Sequence, residues 1–336
     1  MIDWTPTADE RERIFEQQIL PVIFGEAPSP EEPSLVLLGG QVGAGMSRAT
    51  ARLLREASVA TAVVSSDDLR AFHPHYLALA RSGSAEAPEI LAEAAAEWLR
   101  RCLAHARSTR HSMILEGTFR TPEVALGLSE LFAREGFSAR VVVVAAPRSE
   151  SLLATASRHL LEAQAGRASR FTSVEVHDSG WEGTRALVSE LVVTPAIDRL
   201  TILGRDGAAR FDAERSTVGT YAGAADALDR ERSATMSAST AMRWLSELRA
   251  MTDAAVSWER ISRSLADVLI ELHRVALDEV LPALILPADS RARPAAEANI
   301  ARQLVVLRRA ADVEPLPEDI AAPAIATAQP DRGLSR

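Results

Sequence analysis

The sequence predicts an α/β fold in which a mainly parallel sheet is flanked by helices, and three observations support this class. Short runs rich in Val, Ile and Leu alternate with longer segments whose apolar residues recur at helical spacing. The run from Val141 to Val144 is continuously apolar, as expected of a strand buried on both faces. A glycine-rich turn at residues 39–45 separates the first such run from a helical segment, which is typical of phosphate-binding folds.

The alternation predicts the elements in chain order. Strands are expected at residues 35–38, 61–65, 112–115, 140–145 and 200–203. An amphipathic segment at 7–24 precedes the first strand and should pack on the edge or face of the sheet. Further helices are expected at residues 47–57, 88–107, 122–135, 150–165 and 174–191.

The length of 336 residues suggests about two domains on a prior of ~150 residues each. Strand signals stop after Ser216, so residues 1–216 are predicted to form a P-loop kinase-like domain and residues 217–312 a helical C-terminal region. The helices of that region are expected at 238–255, 258–281 and 294–311, with an apolar stripe that is interpreted as core. The Pro- and Ala-rich tail, 313–336, is predicted to be irregular.

Composition narrows the class of protein. Hydrophobic residues make up 47% of the chain and charged residues 25%, which is ordinary for a globular protein, and the formal net charge is −9. That charge argues against binding to nucleic acid or to anionic membranes. The single cysteine, Cys102, excludes an intramolecular disulfide, and no signal segment or uncharged apolar run of membrane length is present. A cytoplasmic enzyme or binding protein is expected.

The turn at residues 39–47, GGQVGAGMS, matches a phosphate-binding loop except that Met46 stands in the place of the lysine. The glycines of such a loop let backbone N–H groups surround phosphate oxygens, and the hydroxyl of Ser47 is the expected Mg²⁺ ligand. All 37 basic residues are arginine, so no displaced lysine can replace the missing charge. The candidate nucleotide-binding residues are Gly40, Gly43, Gly45, Ser47 and Arg48.

Polar residues follow the second and third strands, where ligands bind in open α/β sheets. Asp67 could accept the proton of an attacking hydroxyl, and Asp67 or Asp68 could assist a metal; the alternative is a helix cap or an ion pair with Arg70. The sequence EGTFR, residues 116–120, could bind a hydroxylated ligand. The candidate substrate-binding residues are Asp67, Arg70, Glu116, Thr118 and Arg120.

Three arginines could supply the positive charge that phosphoryl transfer needs. Arg158 lies in a predicted helix, while Arg167 and Arg170 lie in the loop that follows it. Taken one by one, each is also compatible with a solvated surface position. His177 and Asp178, in the next helix, are interpreted as a structural hydrogen-bonded pair.

Together these blocks resemble the zeta toxin family of bacterial toxin–antitoxin systems. The resemblance covers about residues 12–214 and rests on GGQVGAGMS, SSDDLRAFHPHY, EGTFR, Arg158 and SRFTSVEVHD, in that order. It implies an ATP-dependent (or GTP-dependent) kinase that phosphorylates the 3′-hydroxyl of UDP-N-acetylglucosamine and so blocks peptidoglycan synthesis. It also implies a small helical antitoxin as partner.

The resemblance also implies a role for individual residues. Asp67 would be the catalytic base, Ser47 would hold Mg²⁺, and Glu116 and Thr118 would bind substrate. Arg158 and Arg170 would bind the ATP phosphates.

The sequence departs from the family pattern at Met46, where the family has lysine, so this chain is expected to be inactive or severely impaired. Because every other mapped residue is present, a deliberate replacement is favoured over natural decay. Two alternatives stay open. One is a natural binding module for a nucleotide or a UDP-sugar. The other is a kinase of another small hydroxylated molecule, such as an antibiotic.

Overall fold

The structure, a computed structural model, describes residues 4–25, 30–82, 86–119, 121–165, 171–191, 197–216, 221–257, 261–287 and 290–311. Within these ranges the strands are β1 Ser34–Gly39, β2 Thr61–Ser65, β3 Ser112–Gly117, β4 Ser138–Ala145, β5 Arg199–Gly204 and β6 Ala209–Glu214. They form one sheet of six strands in the order β2-β3-β1-β4-β5-β6. Neighbours from β2 to β5 are parallel, and β6 is antiparallel to β5.

Helices cover both faces of this sheet and extend beyond it. Their bounds are α1 Ala8–Ile14, α2 Leu20–Ile23, α3 Met46–Glu56, α4 Ser66–Arg70, α5 Tyr76–Arg81, α6 Ala87–Ser108, α7 Pro122–Ala133, α8 Arg148–Gln164, α9 Val174–Leu191, α10 Ala224–Arg232, α11 Ala238–Val256, α12 Arg263–Val275 and α13 Ala292–Ala311. A π-helical turn, Phe15–Ile19, joins α1 to α2, and another, Ala276–Val280, extends α12. No helix of the described ranges is long and apolar enough to cross a membrane.

The parallel α/β sheet predicted from the sequence is confirmed, and each of the five expected strands is present with its ends shifted by two residues at most. The sequence did not predict β6. This strand is short and lies at the sheet edge, and its residues alternate between exposed and half-buried positions, so no apolar run marks it. It returns beside β5 through the turn that contains Gly207.

Each face of the sheet packs against its own set of helices. On one face, residues of α6, α7, α9 and α10 form the larger core with the strands, including the buried Trp98, Phe132 and Leu187. The N-terminal segment joins this core through Ile14 and Ile19, which confirms the predicted packing of residues 7–24. On the other face, α3 covers the strands in a smaller apolar cluster. Burial of both faces explains why β4 is continuously apolar.

The C-terminal helices α11, α12 and α13 pack against α8. Trp244 of α11 is buried among them, and its indole N–H donates to the carbonyl oxygen of Ser149 at 3.0 Å. Leu152 and Leu153 of α8 share one apolar cluster with the C-terminal helices. The stripe predicted along residues 261–276 is buried in this cluster as expected, whereas Trp258 and the tail after residue 311 lie outside the described residues.

A buried cation sits between α9 and α10. The guanidinium of Arg232 stacks on the ring of Trp181 at 4.4 Å, and Arg232 is 6% exposed. Its three nitrogens have no hydrogen-bond partner among the described residues. Burial lowers the pKa of Arg232 to about 10. The attraction of Asp229 opposes this effect only in part, so burying a guanidinium without hydrogen bonds costs free energy of folding.

We therefore expect Arg232→Met, which keeps most of the side-chain length, to raise the free energy of unfolding by about 1 kcal/mol. Urea denaturation at neutral pH measures the change. Arg230→Met is the matched control, because Arg230 is exposed on the same helix and its replacement should alter stability little. A less stable Arg232→Met protein would show that stacking on Trp181 outweighs the cost of burying the charge.

Candidate nucleotide and substrate site

The loop between β1 and α3 has the backbone geometry of a phosphate-binding loop. Gly43 and Gly45 have φ of 81° and 107°, a region in which side chains are strained. Gly45 is the N-cap of α3, and no side chain caps this helix. The amides of the first turn, including those of Met46 and Ser47, have no acceptor inside the helix and can bind an anion at the positive end of the helix dipole.

Close packing, as well as backbone conformation, requires glycine in this loop. A Cβ atom on Gly43 would lie 2.1 Å from the carbonyl oxygen of Ser151 in α8. A Cβ on Gly40 would lie 3.1 Å from the carbonyl oxygen of Val144 in β4. The loop is therefore pressed against β4 and α8. Its backbone forms a cradle that suits a nucleotide phosphate.

The residues after the glycines differ in what they offer a nucleotide. Met46 packs against the apolar cluster beneath α3, so its thioether adds to the core and supplies no charge. Ser47 is exposed on the first turn of α3, where a metal-binding hydroxyl belongs. Arg48 is also exposed, and its guanidinium donates to the carbonyl oxygen of Arg205 at 3.2 Å. The structure thus directs Arg48 toward the turn after β5.

Arg205 also contacts the loop, although no motif in the sequence marked it as a site residue. Its guanidinium donates to the carbonyl oxygens of Gly43 at 2.7 Å and of Glu150 at 3.3 Å. It also forms an ion pair with the Glu150 carboxylate at 3.6 Å. The sequence GRDG at residues 204–207 indicates a turn, but nothing in it shows that the arginine reaches the loop that follows β1.

Asp67 lies in α4, a short helix that begins directly after β2. Ser65 caps this helix, since its hydroxyl accepts from the Asp68 amide at 3.1 Å and donates to the Asp68 carboxylate at 2.7 Å. The Asp67 side chain is 45% exposed and lies 3.8 Å from the guanidinium of Arg70. Burial lowers the pKa of Arg70. Ser65, and not Asp67, therefore caps α4. Asp67 is exposed at the carboxyl end of the sheet.

Glu116 lies at the end of β3, opposite Leu38 of β1 and Ser65 of β2 in the strand register. Thr50 of α3 donates a short hydrogen bond to its carboxylate. Burial raises the pKa of Glu116, the Thr50 hydrogen bond opposes this effect, and the nearby charge of Asp68 raises the pKa further. The β3 carboxylate is thus tethered to the helix that carries the phosphate-binding loop.

The chain turns sharply after Glu116. Phe119 adopts a left-handed conformation with φ of 36°, and its ring packs so closely on Gly39 that a Cβ there would lie 2.7 Å away. Thr118 lies beside Gly180 of α9, which also contacts Gln41. Thr118 is therefore near the phosphate-binding loop. Arg120 lies outside the described residues.

Arg158 is exposed on α8. Ser151, Thr155 and Arg158 occupy positions i, i+4 and i+7 of this helix, and the first two contact Gly43. Arg158 thus lies one turn further along the face that the loop contacts. Within the described ranges it has no ion-pair partner. Arg167 and Arg170 lie outside those ranges.

The strand order β2-β3-β1-β4-β5, with a phosphate-binding loop between β1 and α3, defines a P-loop kinase-like fold. The family model that describes zeta toxins matches residues 22–217, which is more than half of the chain. The chain belongs to the zeta toxin family.

Comparisons with individual proteins agree with this assignment, although the sequence identities are low. Toxin PezT of Streptococcus pneumoniae serotype 4 is 27% identical over 197 residues, which cover 56% of this chain and 75% of PezT. Toxin zeta of Enterococcus hirae is 21% identical over 178 residues, which cover 53% of this chain and 62% of that protein. A structure from the PezAT chromosomal toxin–antitoxin system of Streptococcus pneumoniae is 22% identical with a TM-score of 0.62, covering 74% of this chain and 98% of that chain. This structure shares the fold.

The tether between Thr50 and Glu116 leads to a test of stability. Thr50→Val removes the hydroxyl at nearly constant shape, so the pKa of Glu116 should rise further. A carboxyl whose pKa is higher in the folded than in the unfolded protein costs stability when it is ionised. We expect a loss of about 1–2 kcal/mol at pH 7, shrinking toward pH 4, by urea unfolding.

The control for this experiment is Thr252→Val in α11. Thr252 is buried and its hydroxyl donates to the carbonyl oxygen of Leu248, with no carboxylate as acceptor. Its effect on stability should not change between the two pH values. Equal losses at pH 4 and pH 7 for Thr50→Val would show that the hydroxyl does not stabilise the ionised form of Glu116.

Proposed function

We propose that this chain has the site of an ATP-dependent toxin kinase that phosphorylates the 3′-hydroxyl of UDP-N-acetylglucosamine, with turnover severely impaired by Met46. One observation carries the proposal: the glycine cradle, Asp67 and Glu116 occupy the carboxyl ends of β1, β2 and β3, which are adjacent strands. A phosphate donor and a hydroxylated acceptor bound there would be neighbours. Family membership supports both the reaction class and the toxin role.

Each side chain has a role that its position supports. Asp67 is exposed in the helix that follows β2, so it can take the proton of the attacking hydroxyl. Glu116 is half-buried and tethered, which suits a residue that holds the acceptor in a fixed orientation. Thr118 adds a hydroxyl beside it. Glu116, Thr118 and Arg120 would bind the sugar nucleotide.

The donor side is built from backbone amides and arginines. ATP would supply the phosphoryl group, and Mg²⁺ on Ser47 would neutralise charge on the phosphates. The amides at the start of α3 would bind the phosphate oxygens. Arg158, on the face of α8 that contacts the loop, and Arg170 would stabilise charge on the transferring group.

A second candidate is a binding module that holds a nucleotide or UDP-sugar without turnover. The observation that favours it is the position of Met46, which is half-buried and packs against the apolar cluster beneath α3. The glycine cradle is unaffected by this residue and keeps its anion-binding geometry. Binding with no turnover, even after the lysine is restored, would identify such a module.

We also propose a helical antitoxin as the physiological partner. The support is the family and the likeness to PezT, whose structure comes from a toxin–antitoxin system. Co-expression with the adjacent open reading frame, followed by size-exclusion chromatography, tests whether a stable complex forms.

Substrate binding can be tested without turnover. We expect the Met46 protein to bind UDP-N-acetylglucosamine in calorimetry, since Asp67, Glu116 and Thr118 are in place. Glu116→Ala should weaken binding by about 10-fold or more, because a hydrogen bond to a charged group is lost. Glu130→Ala, at the exposed far end of α7, is the control. Unchanged affinity in Glu116→Ala would place the sugar elsewhere.

Turnover is tested by restoring the lysine. We expect Met46→Lys to increase phosphorylation of UDP-N-acetylglucosamine by ~10²- to 10³-fold, because one preorganised charge aimed at the transferring group is regained. Met46→Gln, polar but uncharged, should give no such gain. Radiolabelled ATP and product chromatography across a panel of UDP-sugars provide the measurement.

The base is tested in the restored protein. Asp67→Asn keeps the shape of the side chain and removes its basicity, so it should abolish the regained activity. A folded Met46→Lys protein that phosphorylates no UDP-sugar of the panel would contradict the proposed kinase.

A further inference from the structure

The phosphate-binding loop rests on the first turns of α8. Gln41 is fully buried, and its amide nitrogen donates to the carbonyl oxygen of Ala146 at 3.0 Å and to the hydroxyl of Ser151 at 3.3 Å. The carbonyl oxygen of Ser151 faces Gly43, where it leaves no room for a side chain. Ser151 thus contacts the loop with both its side chain and its main chain.

Ser151 is also hydrogen-bonded to a buried histidine of α9. His177 of α9 is fully buried, and its Nε2 lies 2.9 Å from the Ser151 hydroxyl. Its Nδ1 lies 2.9 Å from the Asp178 carboxylate, which confirms the predicted hydrogen bond between these two residues. Burial would raise the pKa of Asp178, but hydrogen bonds from His177 and Arg148 outweigh it and lower that pKa to about 2. Asp178 is therefore an ionised acceptor.

The Asp178 carboxylate fixes the direction of its hydrogen bond with His177. Because an ionised carboxylate can only accept, Nδ1 of His177 carries a proton and donates it to Asp178. The Ser151 oxygen accepts from the amide nitrogen of Gln41 and is hydrogen-bonded to Nε2 of His177. The carbonyl oxygens of Pro147 and Arg148, each at 3.2 Å, are further acceptors for the Ser151 hydroxyl. The buried Oε1 of Gln41 has no hydrogen-bond partner among the described residues, so only the amide nitrogen attaches this side chain to its neighbours. Linked hydrogen bonds of this kind strengthen one another.

The network continues into the C-terminal helices. Arg148 donates from two nitrogens to the two oxygens of Asp178, both at 2.8 Å. A third nitrogen donates to the carboxylate of Glu271 in α12 at 3.0 Å. A continuous hydrogen-bonded path therefore connects α12 to the phosphate-binding loop.

We propose that Ser151 and His177 are positioning residues for the phosphate-binding loop, and that Glu271 makes the helical C-terminal region part of the same support. In a loop without lysine, phosphate binding depends on the backbone cradle, so the precision with which that cradle is held matters more. The effect on ATP affinity rests on the function proposed above. The effect on the position of the loop does not depend on that function.

The first experiment needs no ligand. Hydrogen–deuterium exchange of the nucleotide-free protein is measured for the peptides that cover residues 40–47 in the parent and in Ser151→Ala. We expect exchange there to become about 10-fold faster, since the variant removes the hydroxyl that joins Gln41 to His177.

The matched control is Ser129→Ala in α7. Ser129 is also fully buried, but its hydroxyl donates to the carbonyl oxygen of Ala125 within its own helix. Its replacement should leave exchange of residues 40–47 unchanged. Equal exchange of those residues in Ser151→Ala and in the parent would overturn the proposal, whether or not the protein binds a nucleotide.

The second experiment measures ATP affinity by calorimetry. Ser151→Ala should weaken binding about 10-fold and Glu271→Gln, at the far end of the network, about 3-fold. Asp267→Asn, an exposed carboxylate one turn earlier on α12, is the control for Glu271. Affinity for UDP-N-acetylglucosamine should stay within 2-fold throughout, which a general loss of structure would not allow.

The two experiments separate the two proposals. A parent protein that binds no ATP contradicts the proposed kinase, while its exchange rates still decide the positioning role. A parent that binds ATP, with Ser151→Ala and Glu271→Gln binding it equally well, contradicts the positioning role and leaves the kinase proposal intact.

Discussion

The parallel register of β1, β2 and β3 determines where all the candidate chemistry lies. Glu116 pairs with Leu38 on one side and Ser65 on the other, so the three strands end at the same level. The glycine loop follows β1, the helix that carries Asp67 follows β2, and the turn at Phe119 follows β3. A shift of register in any pair would separate the carboxylates from the loop. The hydrogen bond from Thr50 to Glu116 reinforces the same alignment from the side of α3.

Support for the loop comes from elements other than β1, β2 and β3. The glycines lie against β4 and α8, Arg205 holds the carbonyl oxygen of Gly43, and Ser151 fills the space beneath the loop. Because α8 shares an apolar cluster with α11 and α12, the helical C-terminal region stabilises the helix on which the loop rests. Removing that region would expose Leu152 and Leu153 as well as the hydrogen bonds of Arg148.

Much of this fold could be predicted from the sequence because its strands are buried and its helices are amphipathic. Apolar runs located β1 to β5, and periodicity located α9 with its ends unchanged. The pattern failed for β6, whose edge position requires no apolar run. It also gave no sign of α10, a short helix of nine residues between turns. A buried element shows an apolar pattern in the sequence, whereas a strand at the sheet edge needs no such pattern.

The candidate site was predictable where a residue follows a strand, and unpredictable where a residue reaches it from elsewhere. Glu116 directly follows an apolar run and Asp67 follows shortly after β2 ends, so their place at the carboxyl ends of the strands follows from topology. Thr50, Arg205 and Ser151 reach the site across long sequence separations. No local spacing relates them to their partners. Only the packing of α3, α8 and the β5–β6 turn around the loop brings them together.

The same contacts explain why a single methionine matters so much here. The chain has no lysine, so any charge near the loop must come from arginine. Arg205 donates to the carbonyl oxygen of Gly43 and Arg48 donates to that of Arg205, so each guanidinium would have to break this hydrogen bond to turn toward a phosphate. Arg158 has the freedom to do so, but it approaches from α8, whereas the missing ammonium group would project from the start of α3. The backbone cradle can therefore hold phosphate, while the charge aimed at the transferring group from that side is absent.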